Sequence, residues 1–335
     1  EKKIEKLIDS KITKNLSKPN ILGRVKRLEN ANDRYIEILK SNFPDNFNLK
    51  GTKIVLDLAN GPGYIAAPKL LKKLGAKVIP IGVKPNGFNI NEKCGSTHPF
   101  KIQLAVKKYK AHVGISFDGD ADRLGVISPS GEIIYPDMQM IIFSENILNS
   151  SPNSKIVFDV KCSNLLSESI IKKNGIPIMC KTGHTFIKEA IRNESALLGG
   201  EMSGHIFFND RWPGFDDGIY AGARLLEIIS QFNEDPLQTI PKLFATPEIN
   251  IEVTDSNKFQ IVEKFKSNFK MKKTEIITID GIRVEFKNGW GLLRASNTSA
   301  ILVLRFEADS KNALNEISDI FKKELGKIDK KLMDF

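Results

Sequence analysis

Cysteine is scarce in these 335 residues: Cys94, Cys162 and Cys180 are an odd number at wide spacing. They provide neither a disulfide framework nor a zinc pattern, and they fit a reducing compartment. No apolar run approaches bilayer length, and the residues from Glu1 to Lys6 do not read as a secretory signal. No membrane partner is therefore expected, and a cytoplasmic location is. Low-complexity linkers and short-period repeats are also missing. The charge is one-sided, formally +10, yet the lysines are spread along the whole chain with no aromatic-basic stripe. That argues against a nucleic-acid partner and for a solvated surface that draws in small anions. Nothing in the pattern assigns an oligomeric state. What remains, 41% hydrophobic and 27% charged residues, is the composition of a globular protein too long for one ordinary core, with roughly two to three domains expected.

Hydrophobic periodicity divides the chain into four segments. Residues 1–45 are expected to be helical, from Ile4, Leu7, Ile8 and Ile12 at helical spacing and from Tyr35, Ile38 and Leu39 further on. Having no strands of their own, they read as the tail of a first domain. Residues 46–132 contain the buried-strand run Lys53 to Leu58, the turn Asn60-Gly-Pro-Gly63, a helix through Leu70, Leu71 and Leu74, and a strand from Ala76 to Ile81, which is one βαβ unit. Residues 133–244 carry a second strand-helix series that begins near Ile133. It has a helix around Met138 to Leu148, strands at Lys155 to Asp159 and Ile176 to Met179, and helices at Leu165 to Lys173 and Thr185 to Arg192. The fold class expected is α/β, with two successive α/β domains whose sheets are mainly parallel. In residues 245–335 the grammar changes to strand-like Ile249 to Val253, turn signals Asp280-Gly281 and Asn288-Gly289, and a closing helix with Leu314, Ile317, Phe321 and Leu325. That predicts a C-terminal α+β domain with an antiparallel sheet.

The run Asp118-Gly-Asp120-Ala-Asp122-Arg123 follows the apolar stretch His112 to Phe117. Three carboxylates at alternate positions repel one another unless a cation lies between them, and an all-oxygen set suits Mg2+ or a similar hard ion. Arg123 adds a donor fork for phosphate. An EF-hand reading fails, because Arg123 stands where glycine is needed and Pro129 where a bidentate glutamate is needed. An aspartyl-nucleophile phosphatase also places Asp-x-Asp after a buried strand, but Ala121-Asp122 matches poorly the small β-branched residues expected next. A solvated acidic turn is the third alternative.

Gly199-Gly-Glu201-Met-Ser203-Gly-His205 follows apolar Ala196-Leu-Leu198, so a loop at a strand end is expected. There Glu201 and Ser203 offer an acceptor and a donor/acceptor to paired sugar hydroxyls. A tight turn with a solvated glutamate is the alternative. Arg294-Ala-Ser296-Asn297-Thr298-Ser299, between two apolar strands, gathers a guanidinium, hydroxyls, an amide and turn N–H groups into a phosphate cradle, against the alternative of a polar hairpin turn. Lys161 and His184 each follow a strand of the second α/β segment, where open α/β sheets place ligands. His184 reads as a general acid or base, or as a hydrogen-bond donor only. Cys94-Gly-Ser-Thr-His98-Pro99 reads as a structural or substrate-edge loop, since no carboxylate is placed to orient His98.

These loops, in this order, resemble the α-D-phosphohexomutase superfamily, with its Asp-Gly-Asp-x-Asp-Arg, Gly-Glu-Met-Ser-Gly-His and Arg-x-Ser-Asn-Thr motifs, from about residue 45 to the C-terminus. Residues 200–208, 211–220 and 289–298 look most like the bacterial phosphomannomutase/phosphoglucomutase branch, and Asn89 to Pro99 is similar to phosphoglucosamine mutases. The resemblance implies a cleft shared by four domains and a reversible transfer of phosphate between the 1- and 6-positions of a hexose through a phosphoserine and a bisphosphorylated sugar. It implies that Asp118, Asp120 and Asp122 hold Mg2+, and that Glu201 and Ser203, in a loop closed by His205, grip hydroxyls O3 and O4 of a phosphorylated hexose. Arg294, Ser296, Asn297 and Thr298 would clamp its phosphate. Arg123, Lys161 and His184 form the expected catalytic set. Two departures stand out: Ser299-Ala300 occurs where the family's last loop usually continues with proline, and no Ser-His-Asn-Pro phosphoserine loop is present. The expectation is a truncated mutase, inactive alone. A phosphoglucosamine mutase and a non-catalytic phosphosugar- and Mg2+-binding module are the alternatives.

Overall fold

A computed structural model describes residues 2–10, 17–231, 237 and 243–335. Helix α1 (Lys2–Asp9) leaves Ile4, Leu7 and Ile8 exposed, and Ile12, expected on the same face, lies outside the described residues. Helix α2 (Ala31–Lys40) buries Ile36 and Leu39. It pairs Asp33 with Lys69 and Glu37 with Lys73 across its exposed face. Tyr35 ties it to the second α/β unit by donating to both oxygens of Asp217, at 2.9 and 2.8 Å.

The first α/β unit follows with β1 (Lys53–Asp57), α3 (Gly63–Lys73), β2 (Lys77–Ile81), α4 (Phe100–Tyr109), β3 (Val113–Phe117), β4 (Leu124–Ile127) and β5 (Ile133–Ile134). Its sheet order is β2-β1-β3-β4-β5, parallel through the first three strands and antiparallel after them. Strand β1 is apolar on both faces because both are covered: Ile54 and Leu56 join one core, and Val55 joins Ile102 and Val106 of α4 on the other side. Ile133 therefore completes this first sheet and does not open the second unit.

The second unit is built from α5 (Pro136–Ser150), β6 (Lys155–Asp159), α6 (Asn164–Lys172), β7 (Ile176–Cys180), α7 (His184–Glu194), β8 (Leu198–Gly200), β9 (Ile206–Phe208) and α8 (Gly218–Gln231). Its order, β7-β6-β8-β9, repeats the plan of the first: two parallel neighbours flank the opening strand, and a hairpin then adds an antiparallel one. The repeat is visible as Lys53-Ile-Val-Leu-Asp57 against Lys155-Ile-Val-Phe-Asp159. In both units the hairpin loop after the last parallel strand carries the polar motif, residues 118–123 in one and 201–205 in the other.

The C-terminal unit comprises β10 (Phe244–Ala245), β11 (Ile249–Glu252), α9 (Lys258–Asn268), β12 (Glu275–Ile277), β13 (Ile282–Phe286), β14 (Gly289–Ala295), β15 (Ile301–Ala308) and α10 (Lys311–Gly326). All its pairings are antiparallel, in the order β10-β15-β14-β13-β12 with β11 also on β15. The Asp280-Gly281 and Asn288-Gly289 signals fall in the two hairpin loops around β13. Gly281 has φ +74°, and a Cβ there would lie 2.2 Å from the carbonyl oxygen of Leu293, so the turn admits glycine alone. The architecture is thus mixed α/β, with two parallel-rich sheets and one antiparallel sheet. Among the described residues no helix is long and apolar enough to cross a membrane.

A group of buried arginines joins the second and third units. Arg283 lies with its guanidinium 3.7 Å from the Trp290 ring centre and donates to the carbonyls of Val160 (2.6 Å) and Cys162 (2.7 Å), to Asn164 Oδ1 (2.6 Å) and to Glu285 Oε1 (2.7 Å). Arg305 donates to the Lys161 carbonyl and, at 3.1 Å, to Asp137. The carbonyls on either side of Lys161, and its own, are therefore all taken by the C-terminal sheet.

Candidate functional site

The end of β3 turns at once into Asp118, and Ala121 closes the turn at φ +66° with its N–H on the Asp118 carbonyl. One oxygen from each of Asp118, Asp120 and Asp122 lies within 4.8 Å of the others. Arg123 sits beside them, its Nε 3.0 Å from Asp118 Oδ2 and its backbone N–H on Asp118 Oδ1 at 3.2 Å. Burial, followed by the negative charge of Asp122, pushes Asp118 up to about 6. Asp122 goes the other way, lowered first of all by its hydrogen bond with His205. Asp122 Oδ1 is buried and has no hydrogen-bond partner. Three carboxylates that converge in this way, with one Asp122 oxygen left without a hydrogen bond, fit a hard divalent cation. The residues around this loop leave it little room: a Cβ on Gly61, after β1, would meet the Gly119 carbonyl oxygen at 2.0 Å.

The 201–205 loop is fastened to this one. Gly204 accepts from the Leu124 N–H at 3.0 Å, and the backbones of Arg123 and His205 pair in an isolated antiparallel β-bridge. His205 Nε2 is 3.4 Å from Asp122, and its Nδ1 is 3.1 Å from Glu201 Oε2 and 3.0 Å from Ser203 Oγ. Burial works against the imidazolium, but the hydrogen bonds to Asp122 and Glu201 outweigh it and raise His205 to about 9. Glu201 is only 2% exposed, and its other oxygen accepts from the Gly183 N–H at 2.6 Å. The motif read as a sugar grip thus faces the acidic loop across a shared ion pair. A second group with ligand atoms within 4.8 Å of one another, Asp122, His205 and Asp216, lies alongside. There Asp216 is 3.2 Å from Lys188, and His184 is 4.0 Å from Asp216 with its ring 5.8 Å from that of His205.

Lys161, after β6, is buried, with Nζ 2.7 Å from Glu248 and 3.8 Å from Asp159. Burial opposes its charge, but Asp159 and Glu248 more than restore it, and its pKa is raised. Lys161, Arg123 and Ser203 border one cavity of about 660 Å³, whose other walls include Ser96 and Thr97, Tyr135 and Gln139, and the connector from Ala245 to Asn250. Arg294 is buried on β14, and its Nε donates to Asp280 at 2.9 Å, while the same carboxylate oxygen accepts the Thr182 N–H at 3.1 Å. Ser296 turns inward and accepts from the N–H groups of Thr298 (3.3 Å) and Ser299 (3.2 Å). Asn297 and Thr298 are exposed on the β14–β15 turn, apart from the cavity that Lys161, Arg123 and Ser203 share.

Three connecting carboxylates escaped the sequence reading. Asp159, fully buried, accepts from the Lys161 N–H (3.3 Å), the Cys162 thiol (3.3 Å), the Thr182 hydroxyl (3.2 Å) and the Met202 N–H (3.4 Å), so it holds three loops at once. Asp280 and Glu248 reach from the third unit to the second. The repeated Lys-Ile-Val-x-Asp ending was a usable signal for Asp159, since Asp57 does the same work in the first unit by accepting from Ala59 and Gly95. No local pattern marks the other two.

Sequence models of the phosphoglucomutase/phosphomannomutase family match nearly the whole chain: alpha/beta/alpha domain II on residues 33–131, alpha/beta/alpha domain III on 135–246 and the C-terminal domain on 248–324. A phosphomannomutase/phosphoglucomutase of Pseudomonas putida is 42% identical over 316 residues, covering 92% of this chain and 67% of the relative. A phosphoglucomutase of Neisseria meningitidis is 48% identical over 277 residues, covering 81% of this chain and 60% of the relative. A crystal structure of a phosphoglucomutase/phosphomannomutase family protein from Burkholderia thailandensis superimposes with a TM-score of 0.81 at 40% identity, over 88% of this chain and 64% of that one. The chain spans about two thirds or less of the length of these proteins.

Proposed function

Because the chain belongs to the phosphoglucomutase/phosphomannomutase family, we propose that it forms the metal, sugar and phosphate sites of a phosphohexomutase that interconverts the 1- and 6-phosphates of glucose and mannose. The observation that carries this reading is the ion pair between Asp122 and His205, which brings the acidic loop and the Glu201–Ser203 loop face to face. Asp118, Asp120 and Asp122 hold Mg2+ in this proposal, and the metal when bound neutralises charge that develops on the transferring phosphoryl group. Arg123 holds phosphoryl oxygens with the guanidinium edge that Asp118 leaves free. Glu201 accepts from sugar hydroxyls and Ser203 donates to them. Arg294, Ser296, Asn297 and Thr298 clamp the phosphate that is not reacting, so the reacting oxygen is held in place, and Lys161 anchors phosphate within the cavity it shares with Arg123 and Ser203. His184, with its ring open to solvent on one side, moves the proton of the attacking or departing hydroxyl.

The serine that accepts and returns the phosphoryl group is not among these residues, since they contain no Ser-His-Asn-Pro loop. We therefore expect no turnover from the 335 residues by themselves and turnover once a phosphoserine domain is joined to them. A coupled assay of glucose 1-phosphate conversion on both proteins tests this, and activity in the isolated chain would refute it. A second reading, a preference for glucosamine phosphate, draws on one observation: Ser96, Thr97 and Pro99, from the segment similar to phosphoglucosamine mutases, border the same cavity as Arg123 and Ser203. Comparing rates of the joined protein on mannose, glucose and glucosamine 1-phosphates decides between the two.

A further inference from the structure

Lys161 has one cationic head, and a carboxylate from another unit occupies it. Its Nζ lies 2.7 Å from Glu248 Oε1, while Asp159, the carboxylate of its own strand end, stands off at 3.8 Å. The two partners differ in freedom: the Lys161 side chain is 6% exposed and that of Glu248 37%. Lysine is fixed by burial and by its neighbours on β6. Glutamate, on the connector just before β11, swings into water at little cost, because an exposed carboxylate is well hydrated. Both residues border the cavity shared with Arg123 and Ser203, so an anion entering from the side of the acidic loop meets the pair.

We propose that Glu248 is an affinity-setting residue of this cleft: its carboxylate stands on Lys161 as an internal substitute for a substrate phosphate, and a phosphorylated sugar binds there by displacing it. The inference rests on the reading that Lys161 anchors phosphate. Arg294 provides the contrast within the same molecule. Asp280 engages its Nε at 2.9 Å, which orients the guanidinium and leaves the terminal nitrogens for a ligand. On Lys161 the three donors share one point charge, and a carboxylate at 2.7 Å offsets that charge for whatever the other donors meet. Asp280 therefore orients, whereas Glu248 competes. With Asp159 and Glu248 on either side of it, Lys161 itself offers little net positive charge, and its corner of the cavity becomes attractive to a phosphate dianion as Glu248 leaves. The effect is weaker ground-state binding and faster release, with the Glu248 carboxylate ready to refill the site.

Titration calorimetry on the 335-residue chain, with glucose 1,6-bisphosphate as the probe, tests both layers separately. Glu248→Gln keeps the shape and removes the charge, and Glu248→Asp withdraws the carboxylate by one methylene. Each is expected to tighten binding about fivefold to tenfold, the equivalent of one lost competing ion pair. Lys161→Gln is expected to weaken binding by more than about tenfold. In the double variant Lys161→Gln/Glu248→Gln the gain from the second change should vanish. If Lys161→Gln weakens binding but both Glu248 variants bind as the parent does, or more weakly, the competition is refuted while the phosphate anchor stands. If Lys161→Gln leaves the affinity unchanged, the anchor itself is refuted and the competition with it.

Discussion

Replacing Arg283 with alanine is the perturbation whose cost the structure defines best. The guanidinium makes four hydrogen bonds at 2.6 to 2.7 Å, three of them across to the Val160–Asn164 segment, and stacks 3.7 Å from Trp290. Its removal leaves the buried carbonyls of Val160 and Cys162 without these donors, and Glu285 without its cation. Breaking a buried pair of this kind costs about 3–5 kcal/mol, most of it the penalty on the groups left behind. Against a domain stability of roughly 5–15 kcal/mol that is a large fraction. If the C-terminal unit melts as its own cooperative block of about 80 residues, the loss lowers its transition by on the order of 15 °C or more. Scanning calorimetry reads this directly, and Arg283→Lys, which keeps the charge but supplies fewer donors in a less suitable geometry, should fall between the two. Lys161 sits inside the released segment, so the same variant should also lose affinity for glucose 1,6-bisphosphate. A transition within about 3 °C of the parent, with unchanged binding, would show that the arginine group does not hold the two units together.

Two further predictions concern the loops themselves. Asp122→Asn removes both a proposed metal ligand and the partner of His205, and is expected to weaken Mn2+ binding more than tenfold by electron paramagnetic resonance; Glu263→Gln, exposed on α9 of the C-terminal unit, serves as the control with unchanged affinity. Glu201→Ala should weaken binding of glucose, mannose and glucosamine phosphates alike while sparing inorganic phosphate, whereas Arg294→Ala should weaken both classes of probe. Sugar-phosphate affinity left intact by the first change would remove Glu201 from the site.

Much of this organisation was legible in the sequence because buried strands of a parallel sheet read as unbroken apolar runs. Lys53 to Asp57 and Lys155 to Asp159 are of that kind, and the loops that follow each sheet carry polar motifs too dense to be ordinary turns. Helix α8 was passed over: every residue from Gly218 to Ile228 is buried, Arg224 and Glu227 included, so the charges that suggest a solvated face lie inside the protein. Strands β4, β5 and β9 are short and take their identity from hairpin partners, which is why Ile133 reads as the start of the second unit and is in fact the edge of the first sheet. Asp159 was hidden by being an ordinary strand-end residue until the duplication of the two units is recognised. Glu248 and Asp280 are set by contacts spanning 87 and 98 positions, and no window along the chain contains both ends of such a pair. The acidic loop needed no such knowledge, since its three carboxylates carry their own electrostatic demand.

Everything proposed for this cleft requires that the acidic loop and the phosphate-binding residues serve one ligand. With Mn2+ bound to the 335-residue chain, 31P relaxation of glucose 1,6-bisphosphate measures whether metal and phosphate come together. Strong paramagnetic relaxation of bound bisphosphate is expected, and it should disappear in Asp118→Asn. Bisphosphate binding with no paramagnetic effect from tightly bound Mn2+ would contradict it.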